Sequence, residues 1–275
     1  MQSNLFHQVF KSFSLVTTLS IGLFNSFSFA NEIQLSNQEI VNKAAIAAYY
    51  GGNDGRTMAR MTITDANSRE QIRQFTIIRK DMQDGGEQKF LIVFSRPSDV
   101  KDTVFMVHKK VSGEDDRWLY LPALDLVKRI SSGDKRTSFV GTHYFYEDVS
   151  GRSPQEDNHQ LLEENERFYI MQHTPKNPET VEFASYMTWI DKQNFLPVKI
   201  VYLDAQGKKY RQIEALSIAD IETIPTVTKA KITDLRDGSN TILEFRNMTY
   251  NLGIPDTIFS ERSLRNPPVE WLKSN

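Results

Sequence analysis

From Gly55 onward the apolar residues of this chain recur at every second position, segment after segment, and no other feature constrains the fold as strongly. Ala59/Met61/Ile63, Phe75/Ile77, Phe90/Ile92/Phe94, Phe105/Val107, Val181/Phe183/Met187/Trp189, Val198/Ile200/Tyr202 and Ile242/Glu244/Arg246 each alternate with a set of different character. Successive side chains of a strand point to opposite faces, so this is the pattern of strands with two unlike faces. The breaks between them are turn-like: Asp84-Gly85-Gly86, Ser112-Gly113, Asp204-Ala205-Gln206-Gly207 and Asp237-Gly238-Ser239. About ten or eleven antiparallel strands follow. A closed eight-stranded barrel is just filled by its own side chains, whereas a curled sheet of roughly ten or more strands encloses space that they do not fill. No repeat of fixed period, low-complexity tract or linker interrupts the pattern, so one domain is expected.

A helix is signalled ahead of the first strand. Ser36-Asn37-Gln38-Glu39 reads as a capping box, and the run Ile40 to Tyr50 ends at Gly51-Gly52. Ile40, Val41, Ala44, Ala45, Ala48 and Tyr49 share one face with small side chains in its middle, a face that can lie close to a sheet as a plug or lid. Two stretches read as non-strand. Ser131 to Arg167 carries Gly, Ser, Pro and a run of acids, and Pro255 to Asn275 holds a short amphipathic piece, Ile258 to Leu264, before Pro267-Pro268.

Residues Met1 to Ala30 carry one charge, Lys11, ahead of an apolar run that ends on the small-x-small pattern Ser28-Phe29-Ala30. This is the pattern of a secretory signal peptide, with the working domain at 31–275. The run is broken by Ser, Thr and Asn25 and is shorter than the ~20 residues of a bilayer span. The chain has 33 basic and 35 acidic residues; removing Lys11 leaves 32 against 35, a net −3. So mild a balance argues against nucleic acid or anionic lipid as a partner. There is no cysteine. Disulfides, thiol chemistry and a lipid-acceptor cysteine are thereby excluded, and a protein soluble beyond the inner membrane is expected.

Catalytic motifs are missing. The chain has no G-x-S-x-G elbow, P-loop or G-x-G-x-x-G, and Gly51-Gly52-Asn53-Asp54-Gly55 follows a helix, where it reads as a C-cap and turn. His108, His143, His159 and His173 are scattered singly; His143 and Glu147 lie four apart without a second His or Cys and read as a loop pair. Asp115-Asp116, Glu147-Asp148 and Glu163-Glu164 read as solvated loop charges. No catalytic residue, metal or cofactor is predicted. What stands out is apolar: Arg117 to Leu124, Phe90 to Phe94 and Phe139 to Phe145 are apolar on both strand faces. Such runs fit either strands buried on both faces or a cavity lined by large side chains.

Four ordered segments then carry a resemblance: FSRPSDVKDTVF (Phe94 to Phe105), RWLYLPALDLVKRISSGDKRTSFVGTHYFYED (Arg117 to Asp148), TWIDKQNFLPVKIVYLDAQGK (Thr188 to Lys208) and LEFRNMTYNLGIPDTIFSERSLR (Leu243 to Arg265). In them the chain resembles the outer membrane lipoprotein-sorting proteins of the LolA-like superfamily, in the branch associated with RND/MMPL-type transporters. The resemblance implies a mainly β fold, an unclosed antiparallel barrel of about eleven strands wrapped around helices, with a hydrophobic cavity under a helical lid. It implies a periplasmic carrier rather than an enzyme, shielding the acyl chains of a lipoprotein or lipid between the inner and outer membranes. Its partners would be an RND/MMPL-type inner-membrane transporter and an outer-membrane acceptor. Arg96, in Arg96-Pro97, corresponds to the family's lid latch, and Trp118-x-Tyr120-x-Pro122 to its aromatic-x-aromatic-x-Pro pattern. Phe94, Phe105, Trp118, Tyr120, Phe139, Phe145 and Trp189 are the cavity-lining candidates. The chain departs from the pattern at Asp102, where glycine is expected, and at His143, where an acid is expected. Two other readings stand beside the carrier: a non-carrier docking or accessory protein of a transporter, and a hydrolase using carboxylates between Glu147 and Glu166.

Overall fold

The structure, a computed structural model, describes residues 34–273. The expected signal peptide lies outside the described residues. Helix α1, Asn37–Tyr49, begins at the predicted capping box: Ser36 Oγ accepts from the Glu39 amide at 3.3 Å, and the Glu39 carboxylate accepts from the Ser36 amide at 2.8 Å. It ends before Gly51-Gly52, with Gly52 at φ +68°.

Six strands follow in turn, β1 (Asp54–Thr64), β2 (Glu70–Asp81), β3 (Gln88–Arg96), β4 (Val104–Lys109), β5 (Asp116–Leu121) and β6 (Leu126–Arg129). A connecting segment, residues 130–156, carries the short helix α2 (Tyr146–Ser150). Seven more strands complete the sheet: β7 (Asp157–Glu164), β8 (Phe168–Pro175), β9 (Ser185–Asp191), β10 (Pro197–Leu203), β11 (Lys209–Ile221), β12 (Ile224–Asp234) and β13 (Asn240–Tyr250). Helices α3 (Glu261–Arg265) and α4 (Val269–Leu272) end the described chain. All pairings are antiparallel, in one 13-stranded sheet of order β6-β5-β4-β3-β2-β1-β13-β12-β11-β10-β9-β8-β7. The pairing of β1 with β13 joins the two halves, while β6 and β7 stay as separate edges. This is an unclosed barrel, as expected from strand count and resemblance.

The strand count exceeds the expected ten or eleven, and each surplus strand has a local cause. The turn between β11 and β12 is Glu222-Thr223, both at positive φ (+50° and +71°), a two-residue hairpin turn made without the Gly or Asn that normally marks one. Strand β7 lies inside the stretch read as non-strand, which is a correction: its inward positions are Asp157, His159 and Leu161, so its alternation is not one of apolarity. Conversely, Phe139 to Phe145 is no strand. It is a tight loop closed by Phe139 N–H to Tyr144 O at 2.7 Å, with Val140 at φ +47°. Asp102, where the family pattern has glycine, holds φ +63°, the left-handed conformation that glycine adopts most readily.

The sheet is buried on both faces over β2 to β5. On its inner face Phe75, Phe90, Ile92, Phe94, Phe105 and Val107 form one core with Phe139 and Tyr146 of the connecting segment. On its outer face Ile78, Leu91, Val93, Val104 and Met106 form a second core with Ile254, Ile258, Phe259 and Leu264. The C-terminal stretch therefore caps the outer face of β2 to β4, which explains why Phe90 to Phe94 reads as apolar on both sides. Leu264, fully buried in this cap, fixes α3 to the sheet. Leu264→Ala is expected to cost about 2–5 kcal/mol, measured as a fall in the urea-unfolding midpoint at unchanged slope.

Candidate functional site

The inner face of the curled sheet and α1 enclose a cavity of about 400 Å³. Helix α1 contributes Val41, Ala44, Ala45 and Ala48, the small-residue face of the capped helix, and the sheet contributes Met61, Phe75, Ile77, Phe90, Ile213, Leu243 and Phe245 among others. Ile40, Val41 and Ala44 anchor the helix to Met171 of β8 and Ile190 of β9. Small side chains on the helix leave the room; large ones on the sheet make it apolar. At the C-terminal end of α1, Tyr49 lies against Gly151, where an added Cβ would come within 2.5 Å of the ring. Only glycine lets the connecting segment pass so close to the helix.

One end of the cavity is polar. Glu147 of α2, 1% exposed, meets Lys135 Nζ at 3.0 Å, Arg136 Nη1 at 3.1 Å and Arg152 Nη1 at 3.3 Å. Arg152 also grips Asp157 through Nε to Oδ2 and Nη2 to Oδ1, both at 2.8 Å, and Arg136 grips Glu182 through two hydrogen bonds. Arg211 of β11 pairs with Asp148. Burial alone would raise the Glu147 carboxyl, but Arg136, Lys135 and Arg152 outweigh it and hold the group below the ordinary carboxylate range.

Along this end runs a cross-strand row, since His159 pairs with His173, His173 with Tyr186, Tyr186 with Tyr202, and Tyr202 with Arg211. His173 stacks on Tyr186 with ring centroids 4.4 Å apart, and Tyr186 on Tyr202 at 5.2 Å. The Tyr186 hydroxyl donates to Asp157 at 2.8 Å. His173 is 2% exposed, and burial, helped by neighbouring His159 and Arg152, lowers it to about 3, so its ring is neutral.

The cavity also borders a seam in the sheet. Strand β12 pairs with β13 only from Lys229 to Thr233, and β11 with β10 only up to Glu214. The arms 215–221 and 224–228 are thus paired only with each other. The arm is tied to β13 by side chains: Thr226 Oγ1 lies 2.9 Å from the Tyr250 hydroxyl, and the Tyr250 amide donates to Glu222 Oε1 at 3.3 Å. Ile224, Val227, Phe245 and Met248 line the cavity on the two sides of this seam.

Of the aromatic candidates, Phe139 borders the cavity. The others are placed elsewhere, correcting the expected lining. Phe94 and Phe105 are fully buried in the wall, packed on Phe139 at 5.7 and 5.3 Å. Trp118 and Tyr120 lie on the outer face with the C-terminal cap, because the inward positions of β5 are Arg117 and Leu119. Phe145 lies under the Arg211 and Arg136 guanidinium groups at 4.3 and 4.8 Å. Trp189 faces outward, beneath Lys199 Nζ at 5.2 Å, since Thr188 and Ile190 take the inward positions of β9. Arg96 is exposed at the end of β3, its side chain makes no hydrogen bond or ion pair among the described residues, and it does not border the cavity. His143 is held by Thr241 Oγ1 at 2.8 Å and Ser239 Oγ at 2.9 Å rather than by Glu147. The polar row went unread because a search for apolar periodicity passes over His and Asp; the spacings Asp157/His159/Leu161 and Met171/His173 carry the signal.

The sequence model of a family described as "uncharacterized protein" matches residues 86–266, more than half of the chain. The chain belongs to that family. Its fold is shared by three solved structures, one of them of a LolA superfamily protein. This family member is similar to a DUF1329 family protein from Desulfovibrio piger at 28% identity and TM-score 0.74, covering 82% of this chain and 95% of that one. A Vibrio parahaemolyticus domain, provisionally named an outer membrane lipoprotein-sorting protein domain, shares the fold at 24% identity and TM-score 0.76, covering 83% and 98%. A LolA superfamily protein from Nitrosomonas europaea does so at 17% identity and TM-score 0.65, covering 83% and 99%. No curated protein matches the chain. Among the described residues no helix is long and apolar enough to cross a membrane, and no group of His, Cys, Asp and Glu is placed to hold a metal ion.

Removing the Glu147 charge leaves three cations facing one another in the protein interior. Glu147→Gln is expected to cost roughly 3–5 kcal/mol in urea unfolding. Because the folded carboxyl titrates below its ordinary 4.5, the stability it supplies is present above that pH and lost as pH falls through the lower folded value. His173 acts higher on the scale. Neutral when folded but protonated below 6.5 when unfolded, it makes stability decline as pH falls from 6.5 toward about 3, by up to roughly 1.4 kcal/mol per pH unit. Denaturation of wild type and His173→Phe at neutral and mildly acid pH checks this, with a shallower acid slope expected in the variant.

Proposed function

We propose that this protein is a periplasmic carrier, which shields the acyl chains of a lipid or lipoprotein in the cavity beneath α1 and moves them between the inner and outer membranes. The observation that carries this reading is the apolar cavity of about 400 Å³ between a small-residue helix and an aromatic-rich sheet. Its size lies within the ~300–1,000 Å³ of ligand sites. Each CH₂ moved from water into such a space gains about 0.8 kcal/mol, so one chain supplies the drive for loading without any catalytic group. Release then needs an acceptor that offers comparable apolar surface. The similarity to a domain named for outer membrane lipoprotein sorting supports the cargo class, and the resemblance of the four sequence segments supports an RND/MMPL-type transporter as the donor.

A second reading has its own observation. Strand β6 is an open edge, and Leu124 and Leu126 beside it are 69% and 46% exposed, a surface suited to docking a transporter domain by edge pairing. A carrier loaded by a transporter needs both.

Organic extraction and native mass spectrometry of the protein purified from periplasm test the carrier reading, with a stoichiometric acylated species expected. Uptake of a fluorescent acyl probe gives the solution measurement. Ala48→Trp, which fills the cavity from the helix side, is expected to weaken uptake at least about tenfold, some 1.4 kcal/mol, at unchanged urea midpoint. Tyr250→Phe, which removes the hydroxyl bridging the seam, is expected to speed probe exchange. An empty protein that takes up no probe returns the function to the docking platform alone.

A further inference from the structure

Of the charged groups that border the cavity, all but Arg56 meet an opposite charge. Glu147 has its three cations, Arg152 holds Asp157 through two hydrogen bonds, Asp148 holds Arg211, and Arg79 is paired with Asp81. Arg56 also borders it, but its guanidinium donates to the Lys273 carbonyl in the C-terminal stretch. Nε and Nη1 of Arg211 have no hydrogen-bond partner among the described residues, its guanidinium Cζ lies 4.3 and 5.1 Å from the Phe145 and Tyr202 ring centroids, and Arg211 itself is not part of the cavity wall. An ionised headgroup entering at the polar end would find Glu147, Asp148 and Arg152 already paired and would be stripped of water at a cost of several kcal/mol or more.

The unfilled hydrogen-bonding capacity belongs to neutral groups. Tyr202, 4% exposed, and Tyr144 both border the cavity, and neither hydroxyl has a hydrogen-bond partner among the described residues. His173 borders it too, and its Nε2 is buried without a partner. The tautomer of His173 follows from its neighbours. His159 Nε2 lies 2.8 Å from the Pro154 carbonyl, which only accepts, so that nitrogen carries hydrogen. A neutral His159 then accepts at Nδ1, and His173 Nδ1, 2.8 Å away, donates to it. The proton of the neutral His173 is thereby spent on His159, and the orphaned Nε2 is left as a lone pair. The polar end thus offers two O–H donors and one acceptor, all uncharged, at the end of an apolar chamber.

We infer that this polar end receives the uncharged polar group of an amphiphile, an acyl ester or amide carrying an O–H or N–H, in preference to a free carboxylate. The inference rests on the carrier reading and names its ligand class: the ligand carbonyl accepts from the Tyr144 and Tyr202 hydroxyls, and its hydroxyl or amide hydrogen is donated to His173 Nε2. Ester and amide linkages of acylated molecules present this combination, and an ionised fatty acid does not.

The test uses the mature chain and three ligands of one chain length, monopalmitoylglycerol, palmitamide and palmitate, competing at neutral pH against an uncharged fluorescent acyl probe. The neutral ligands are expected to displace the probe at least tenfold more effectively than palmitate. Tyr202→Phe and Tyr144→Phe are each expected to weaken the neutral ligands about two- to tenfold, as for one lost hydrogen bond, and to leave palmitate unchanged. A merely structural effect would move all three ligands together and lower the unfolding midpoint. Palmitate binding as well as the neutral ligands, or Tyr variants that shift none of them selectively, overturns this inference while the carrier reading stands. Failure of the wild-type protein to take up the probe or any of the ligands overturns both.

Discussion

The whole architecture depends on one buried set of charges. A sheet of this length leaves two unpaired edges, β6 and β7, and the chain between them has to bridge the gap. It does so by placing unlike side chains on the two halves. Phe139 goes into the aromatic core of β3 and β4, while Arg136, a few residues earlier, lies over Phe183 and Tyr202, each centroid 5.0 Å away, in the β9–β10 half. Glu147 then collects Lys135, Arg136 and Arg152 at a single buried carboxylate. Carrying four charges out of water is costly, and replacing such a cluster by well-packed apolar groups often stabilises a protein. Here an apolar bridge would have closed the barrel into one continuous core. The ionic bridge instead holds the segment in one register and gives the cavity a polar end.

The cavity follows from a mismatch of side-chain size. On the sheet the inward positions of β1 to β3 and β13 are Met61, Phe75, Ile77, Phe90, Ile92, Leu243 and Phe245, whereas α1 answers them with four alanines, a valine and, at its end, Tyr49. A helix of leucines would fill the space at interior packing density. The C-terminal cap supplies the other half of the arrangement. By burying the outer face of β2 to β4 it places a second core behind the strands whose inner side chains border the cavity.

Much of this was legible in the sequence, and the rest failed for definable reasons. The capped helix, its small-residue face and the inward sets of β1 to β4 follow from spacing alone, since each is a strong local signal that packing then obeys. The two-sided burial of Phe90 to Phe94 was visible, but its partner was not: only the folded chain brings Ile254 to Leu264 over the outer face. Trp118, Tyr120 and Trp189 were misassigned because large apolar side chains on a two-sided sheet carry no mark of which side they serve. In β9 the inward positions are held by Tyr186, Thr188 and Ile190, and the smaller Thr188 disguises the register. The β11–β12 turn escaped because Glu222-Thr223 adopts by tertiary context a geometry that glycine would have advertised. The polar row escaped for the opposite reason, being a regular alternation of residues that are not apolar.

The two halves of the sheet therefore differ in what it takes to open them. Parting β2 from β3 would break a continuous ladder from Phe75 to Asp81 and expose two cores at once. Parting the β11–β12 arm from β13 beyond Lys229 breaks no ladder, because none is formed there; it separates Thr226 and Glu222 from Tyr250 and exposes the side chains that already line the cavity. Local opening follows the segment with the fewest ladder bonds and the least buried area. The seam is that segment, and it is made of none of the residues of the ionic bridge. Opening there leaves the charges that hold the barrel's edges together covered.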